Sequence, residues 1–169
     1  MELLDSQKVH DGYAVDVAVK RYRRADGTEV TREVVEHPGS VAILAYDEEA
    51  VYLVRQPREA VEVDGLLEIP AGTLEPGEDE LECAKRELAE EAGLAATEWR
   101  ELKTVHTSPG VLDEVATIFA ATGLADASAE QDEDEQIDVV RLPRAEVGAA
   151  LETITDATTL IALLLLPTL

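Results

Sequence analysis

Basic residues are scarce in this chain of 169 residues: 14 lysines and arginines stand against 37 aspartates and glutamates, a formal net charge of −23. That balance excludes nucleic acid and anionic membrane surfaces as partners, because both are bound through basic surface. Aromatics make up only 4% of the chain, so few side chains offer a face for stacking on a ligand. A lone cysteine, Cys83, leaves no second thiol for an intrachain disulfide. It reads as a small buried hydrophobe rather than a nucleophile or a ligand. Long apolar runs are missing as well. The leucine-rich run at 160–166 is too short to span a membrane, and Glu2 and Asp5 interrupt any leader-like run at the start. A soluble cytoplasmic protein is expected.

What is present argues for a folded domain. The length suits one core, and 46% hydrophobic residues oppose disorder despite the charge. Two strands are predicted in the first forty residues, with alternation from Tyr13 to Val19 and a turn at Asp26-Gly27 before a strand over 28–35. Further strands are predicted over 40–46, 50–56, 66–69, 99–105, 115–121 and 137–142, with helices over 79–92, 144–151 and 156–165. The pattern predicts an α+β fold with helices on both sides of a mixed sheet. Residues 1–40 form an N-terminal strand region and 41–169 the main domain.

One stretch organises the rest: GTLEPGEDELECAKRELAEEAGL, from Gly72 to Leu94. Acidic Glu78, Asp79 and Glu80 suit the positive end of a helix dipole, and Gly93 suits a left-handed helix stop. Leu81, Ala84, Leu88 and Ala92 make a buried stripe at helical spacing. Off that stripe, Glu87, Glu90 and Glu91 stand at i, i+3 and i+4, where like charges repel. A divalent cation such as Mg²⁺ or Mn²⁺, which prefers hard carboxylate oxygens, relieves that repulsion. The plain alternative is a solvated acidic face.

Gly72, Glu78, Arg86-Glu87-Leu88, Glu90-Glu91 and Gly93-Leu94 match G-x5-E-x7-R-E-U-x-E-E-x-G-U at every position, U being aliphatic. The stretch resembles the signature of the Nudix hydrolases. REVVEHPGSVAIL, VYLVRQPRE, LLEIPAGTLEPGE, TSPGVLDE and ITDATTLIALLLL resemble the ADP-ribose pyrophosphatase branch of that family. Ser108-Pro109-Gly110 stands where the branch carries its secondary signature, about sixteen residues past the box. Pro57 departs from the pattern, since an aromatic is commoner between Gln56 and Arg58.

The resemblance implies a Nudix-type α/β/α sandwich and metal-dependent cleavage of ADP-ribose to AMP and ribose 5-phosphate. The alternatives are another nucleotide substrate or a non-catalytic nucleotide sensor. It also implies two or three Mg²⁺ or Mn²⁺ ions held by Glu87, Glu90, Glu91 and the carbonyl of Ala71, with Glu90 and Arg86 in the catalytic set and Arg86 orienting a glutamate. Glu78 is either catalytic or fixes the loop. Arg58 matches a phosphate-binding position, and Arg32, Glu33 and Gly110 match substrate contacts. Tyr13 either stacks on adenine or packs in the sheet; His106 reads as a loop histidine and Trp99 as core. In the acidic run 130–135, Glu133 matches the general base and Glu135 an extra metal ligand. A homodimer exchanging residues 1–40 completes what the resemblance implies.

Overall fold

The computed structural model describes residues 1–12, 15–128 and 136–166. Two compact units form: Met1–Gly39 with His106–Val115, and Ser40–Val105 with Ala116–Leu169.

In the first unit, three strands form where two are predicted. Strands β1 (Glu2–Asp11), β2 (Asp16–Arg23) and β3 (Glu29–Glu36) make an antiparallel sheet in that order. All of β1 except Leu4 is exposed, so no buried face imprints a period-2 pattern on its sequence. The 106–115 segment extends this sheet. Val35 donates its N–H to Val111 at 2.8 Å and accepts from Asp113 N–H at 3.1 Å. Lys20 fastens the join from β2, with Nζ 2.8 Å from Glu36 and 3.1 Å from Asp113.

In the second unit, β4 (Ser40–Tyr46) lies at the middle of a mixed sheet. It pairs antiparallel with β5 (Ala50–Arg58) and β7 (Ala71–Thr73), and parallel with β9 (Val115–Asp126). Strands β6 (Val63–Glu68), β8 (Leu94–His106) and β10 (Asp138–Pro143) complete the seven. No strand is predicted over 71–73; the short β7 forms there because β4 offers it a free ladder.

Both faces of β4 are buried, as its unbroken apolar run requires. Val41, Ile43 and Ala45 pack on helix α1 (Glu80–Ala92) together with Phe119 and Ala121. Ala42 and Leu44 face the opposite core, built with Ile69, Ile118 and Leu142 against α2 (Val147–Ala150) and α3 (Ala157–Leu165). The fold is α+β, with helices on either side of a mixed sheet. Trp99 is half-buried and meets Phe119 edge-on, with ring centroids 6.5 Å apart. No helix among the described residues is long and apolar enough to cross a membrane.

Helix α3 is tied to the sheet by a buried polar relay. Asp156 caps its N-terminus, accepting from Thr159 N–H and Thr159 Oγ1, each at 2.7 Å. Thr159 Oγ1, fully buried, accepts in turn from Ile69 N–H at 2.9 Å. Thr159→Val keeps the volume but strands the Ile69 amide, and is expected to destabilise by about 1–3 kcal/mol. Urea denaturation should show a lowered midpoint with an unchanged slope, and Thr159→Ser should restore it.

Candidate active site

Helix α1 begins at Asp79, whose carboxylate accepts from the N–H groups of Leu81 and Glu82. It ends at Gly93, left-handed at φ 64°. The buried stripe differs from the predicted one: Cys83, Ala84, Leu88 and Ala92 are buried, Leu81 only partly, and Glu91 joins the stripe at 4% exposure. A buried carboxylate needs donors. Glu91 Oε2 accepts from Ala71 N–H at 2.8 Å, and Oε1 from Gln56 Nε2 at 3.4 Å.

Arg86 gathers the other glutamates. Its Nε and Nη2 each lie 3.0 Å from the two Glu78 oxygens, and its Nη1 lies 2.7 Å from Glu87 Oε1 and 2.9 Å from Glu90 Oε2. That guanidinium, helped by the Glu75 N–H, holds the Glu78 carboxyl down to about 2. Glu78 thereby fixes the loop that leads into the helix. Burial, reinforced by Glu78, pushes the Cys83 thiol up to about 12. Cys83 is therefore an inert packing residue at neutral pH.

Gly72 is required by a close approach. A Cβ built there would lie 1.9 Å from the Glu87 carboxyl carbon. Gly72 and Ala71 are themselves stitched to the central strand, opposite Val41 and Ala42.

The donor set fits a hard divalent cation, with three carboxylates on one helix face beside a short backbone segment at Ala71. Among the described residues, no three acidic or thiol/imidazole side chains converge into a ready-made cage. Glu87 and Glu90 are drawn onto Arg86 and Glu91 onto Ala71 N–H, so a cation competes with Arg86 for its ligands.

Arg58 belongs to the same unit, at the end of β5 beyond a bulge at Pro57. There the ladder is irregular, with Pro57 of β5 facing both Asp64 and Gly65 of β6, a kind of place where a strand proline is tolerated. The guanidinium pairs with Glu68, a partner that no sequence spacing announces. In the other unit, Arg32 and Gly110 line one cavity of about 490 Å³ together with Tyr22, Arg24, His106 and Pro109. His106, expected in a loop, instead ends β8 and lines this cavity. Arg32 Nη1 donates to Thr31 O at 2.7 Å. Glu33 is exposed and does not line this cavity. Tyr22, in β2, and Arg24, just past its end, carry no motif or alternation that singles them out in the sequence. Tyr13, Glu133 and Glu135 lie outside the described residues.

Gly72→Ala tests the cradle. The added methyl displaces the Glu87 carboxyl, and affinity for Mn²⁺, read by calorimetry, is expected to fall about 10–100-fold. Unchanged affinity would show that Glu87 is not held there for a cation.

Comparison with known proteins agrees with this geometry. The family description "NUDIX domain" matches residues 36–163. The ADP-ribose pyrophosphatase of Bacillus subtilis (strain 168) is 37% identical over 139 residues, covering 80% of this chain and 75% of that protein. A Bacillus methanolicus protein named methanol dehydrogenase activator is 37% identical over 142 residues, covering 82% and 76%. A solved structure described as "Crystal structure of ADP compounds hydrolase" superposes with a TM-score of 0.84 at 26% identity, covering 98% of this chain and 91% of that one. With the family match spanning most of the chain and the carboxylate helix in place, this protein belongs to the Nudix hydrolase family.

Proposed function

We propose that this chain hydrolyses the pyrophosphate bond of ADP-ribose, giving AMP and ribose 5-phosphate. The observation that carries the reading is the face formed by Glu87, Glu90 and Glu91 against Ala71, organised by Arg86. The choice of ADP-ribose is supported by the name of the Bacillus subtilis relative and the description of the matched structure. Nudix enzymes use divalent metals; Mg²⁺ or Mn²⁺, two or three per site, is the proposed form here.

The chemistry is a hydrolysis in which water attacks one phosphorus and the bridging P–O bond breaks. When bound, such cations would supply charge neutralisation and lower the pKa of the attacking water. Glu87, Glu90, Glu91 and the Ala71 carbonyl hold them, with Glu135 as a further ligand. Glu133 accepts the proton of the attacking water. Arg58 binds a phosphate oxygen, since a guanidinium suits phosphate recognition. Arg32, Glu33, Gly110 and Tyr13 contact the adenosine side. Arg86 touches no substrate in this scheme; it sets the positions of Glu87 and Glu90.

With Mg²⁺ or Mn²⁺, AMP release from ADP-ribose is expected to exceed turnover of ADP-sugars, GDP-mannose, dinucleoside polyphosphates and nucleoside triphosphates by kcat/KM. Excess chelator should abolish it, Glu91→Gln should remove nearly all turnover, and Glu133→Gln should lower kcat about 10²–10⁴-fold with little change in KM. A higher kcat/KM for another substrate of this panel overturns the choice of ADP-ribose, and activity in chelator overturns the metal mechanism.

The enzyme is further proposed to work in the cytoplasm as a homodimer joined through residues 1–40. In support, the edge strand β1 exposes Leu3 and Val9 to solvent at 53% and 55%. An obligate interface buries about 2,000 Å² or more. Light scattering at micromolar concentration should give twice the chain mass of 18.3 kDa. A single-chain mass overturns the dimer.

A further inference from the structure

Glu68 is a buried acid that the carboxylate cluster on α1 does not use. It ends β6, is 7% exposed, and spends both oxygens on one partner. Arg58 Nε donates to Oε1 at 3.2 Å and to Oε2 at 3.0 Å, and Arg58 Nη2 lies 2.9 Å from Oε2. The register shows where this pair points. Glu68 lies opposite Val54 in the β5–β6 ladder, so the two side chains share one sheet face. Gln56, two residues along β5, shares the face of Val54, and it donates to Glu91 on α1. The Arg58–Glu68 pair therefore stands on the face that carries the α1 carboxylates.

Arg58 reaches that place by an indirect route. Its backbone pairs with Val63, beyond the bulge, at the far end of the ladder from Glu68. Its side chain runs back along the strands instead of projecting from their end. The guanidinium comes to rest by the last residue of β6, three positions before Ala71. It keeps 41% of its side chain exposed.

Stability does not explain the arrangement. A buried carboxylate loses hydration that a half-exposed partner repays poorly, and an apolar residue opposite Val54 would pack without that penalty. We infer that Glu68 is a positioning residue that holds the Arg58 guanidinium beside the carboxylate face, ready for the diphosphate of the substrate. This assignment rests on the ADP-ribose reading above.

A double-mutant cycle with Glu68→Gln, Arg58→Ala and the combined variant tests it, with two readouts. One is KM and kcat for ADP-ribose; the other is the Kd for ADP with Mn²⁺ by calorimetry, which needs no turnover. Glu68→Gln should raise KM and the ADP Kd about tenfold and leave kcat within about twofold, and the combined variant should be no worse than Arg58→Ala. Glu68→Met, which suits burial beside Val54, should show the same loss if Glu68→Gln folds poorly. Additive effects, or wild-type affinity in Glu68→Gln or Glu68→Met, overturn the assignment. If ADP-ribose is not cleaved but the ADP affinities follow the cycle, the substrate reading fails and the role of Glu68 stands. If ADP-ribose is cleaved and the effects are additive, only the role of Glu68 falls. A wild-type protein that neither binds ADP nor cleaves ADP-ribose overturns both.

Discussion

The guanidinium of Arg86 has to satisfy Glu78, Glu87 and Glu90 at once, and the shape of the carboxylate face follows from how it does so. Three donors on a rigid planar fork reach carboxylates on two different segments. A lysine at this position would supply the charge but not the directions. Even so, one positive charge against three negative ones leaves the face strongly acidic. The helix dipole adds to the strain, because Glu90 and Glu91 sit in the last turn of α1, where no basic residue balances the negative end. A helix selected for its own stability would reverse these charges. The arrangement leaves a partly neutralised acidic face, which is what the proposed cation site requires.

Precision at that site comes from the sheet. The segment carrying Ala71 and Gly72 is hydrogen-bonded to β4, whose residues are buried on both faces, and Ile43 N–H donates to Pro70 O at 2.7 Å. On its other side, Ile69 is held by the fully buried Thr159. Glu91 then hangs from Ala71 N–H, so the position of this buried carboxylate is set by two cores at once. Loops alone would not fix a carboxylate so closely.

The sequence made the local features readable and the long-range ones not. Helix α1 and its caps follow from short-range chemistry at Asp79 and Gly93, and β4 from an apolar run with clear borders. Strand β1 is not legible in the sequence, because a strand exposed along nearly its whole length carries no hydrophobic alternation. Strand β7 is three residues long and exists only through its partner β4. The burial of Glu91 contradicts the usual place of a glutamate and follows from a donor twenty residues away, at Ala71. The Arg58–Glu68 contact likewise joins two strands across a bulge, and no periodicity encodes such a reach. The box motif named the chemistry, while the groups that position it emerged only from the fold.

The overall charge poses a last physical question, since a protein at −23 is asked to bind an anion. At physiological ionic strength the screening length is about 8 Å, so acids elsewhere on the surface act weakly at the site. They do remove electrostatic steering, which leaves capture of the substrate to short-range groups. In the proposed scheme Arg58 is such a group, and Glu68 partly cancels its charge. That cancellation has a use in a chain so rich in acids. A guanidinium committed through Nε and Nη2 to one buried carboxylate is shielded from the competing acids around it, while its remaining edge keeps a fixed direction. Orientation held in advance reduces the entropy lost when a phosphate arrives. In an acidic protein, a basic residue held in place by a buried acid is thus a more selective anion receptor than a loose one.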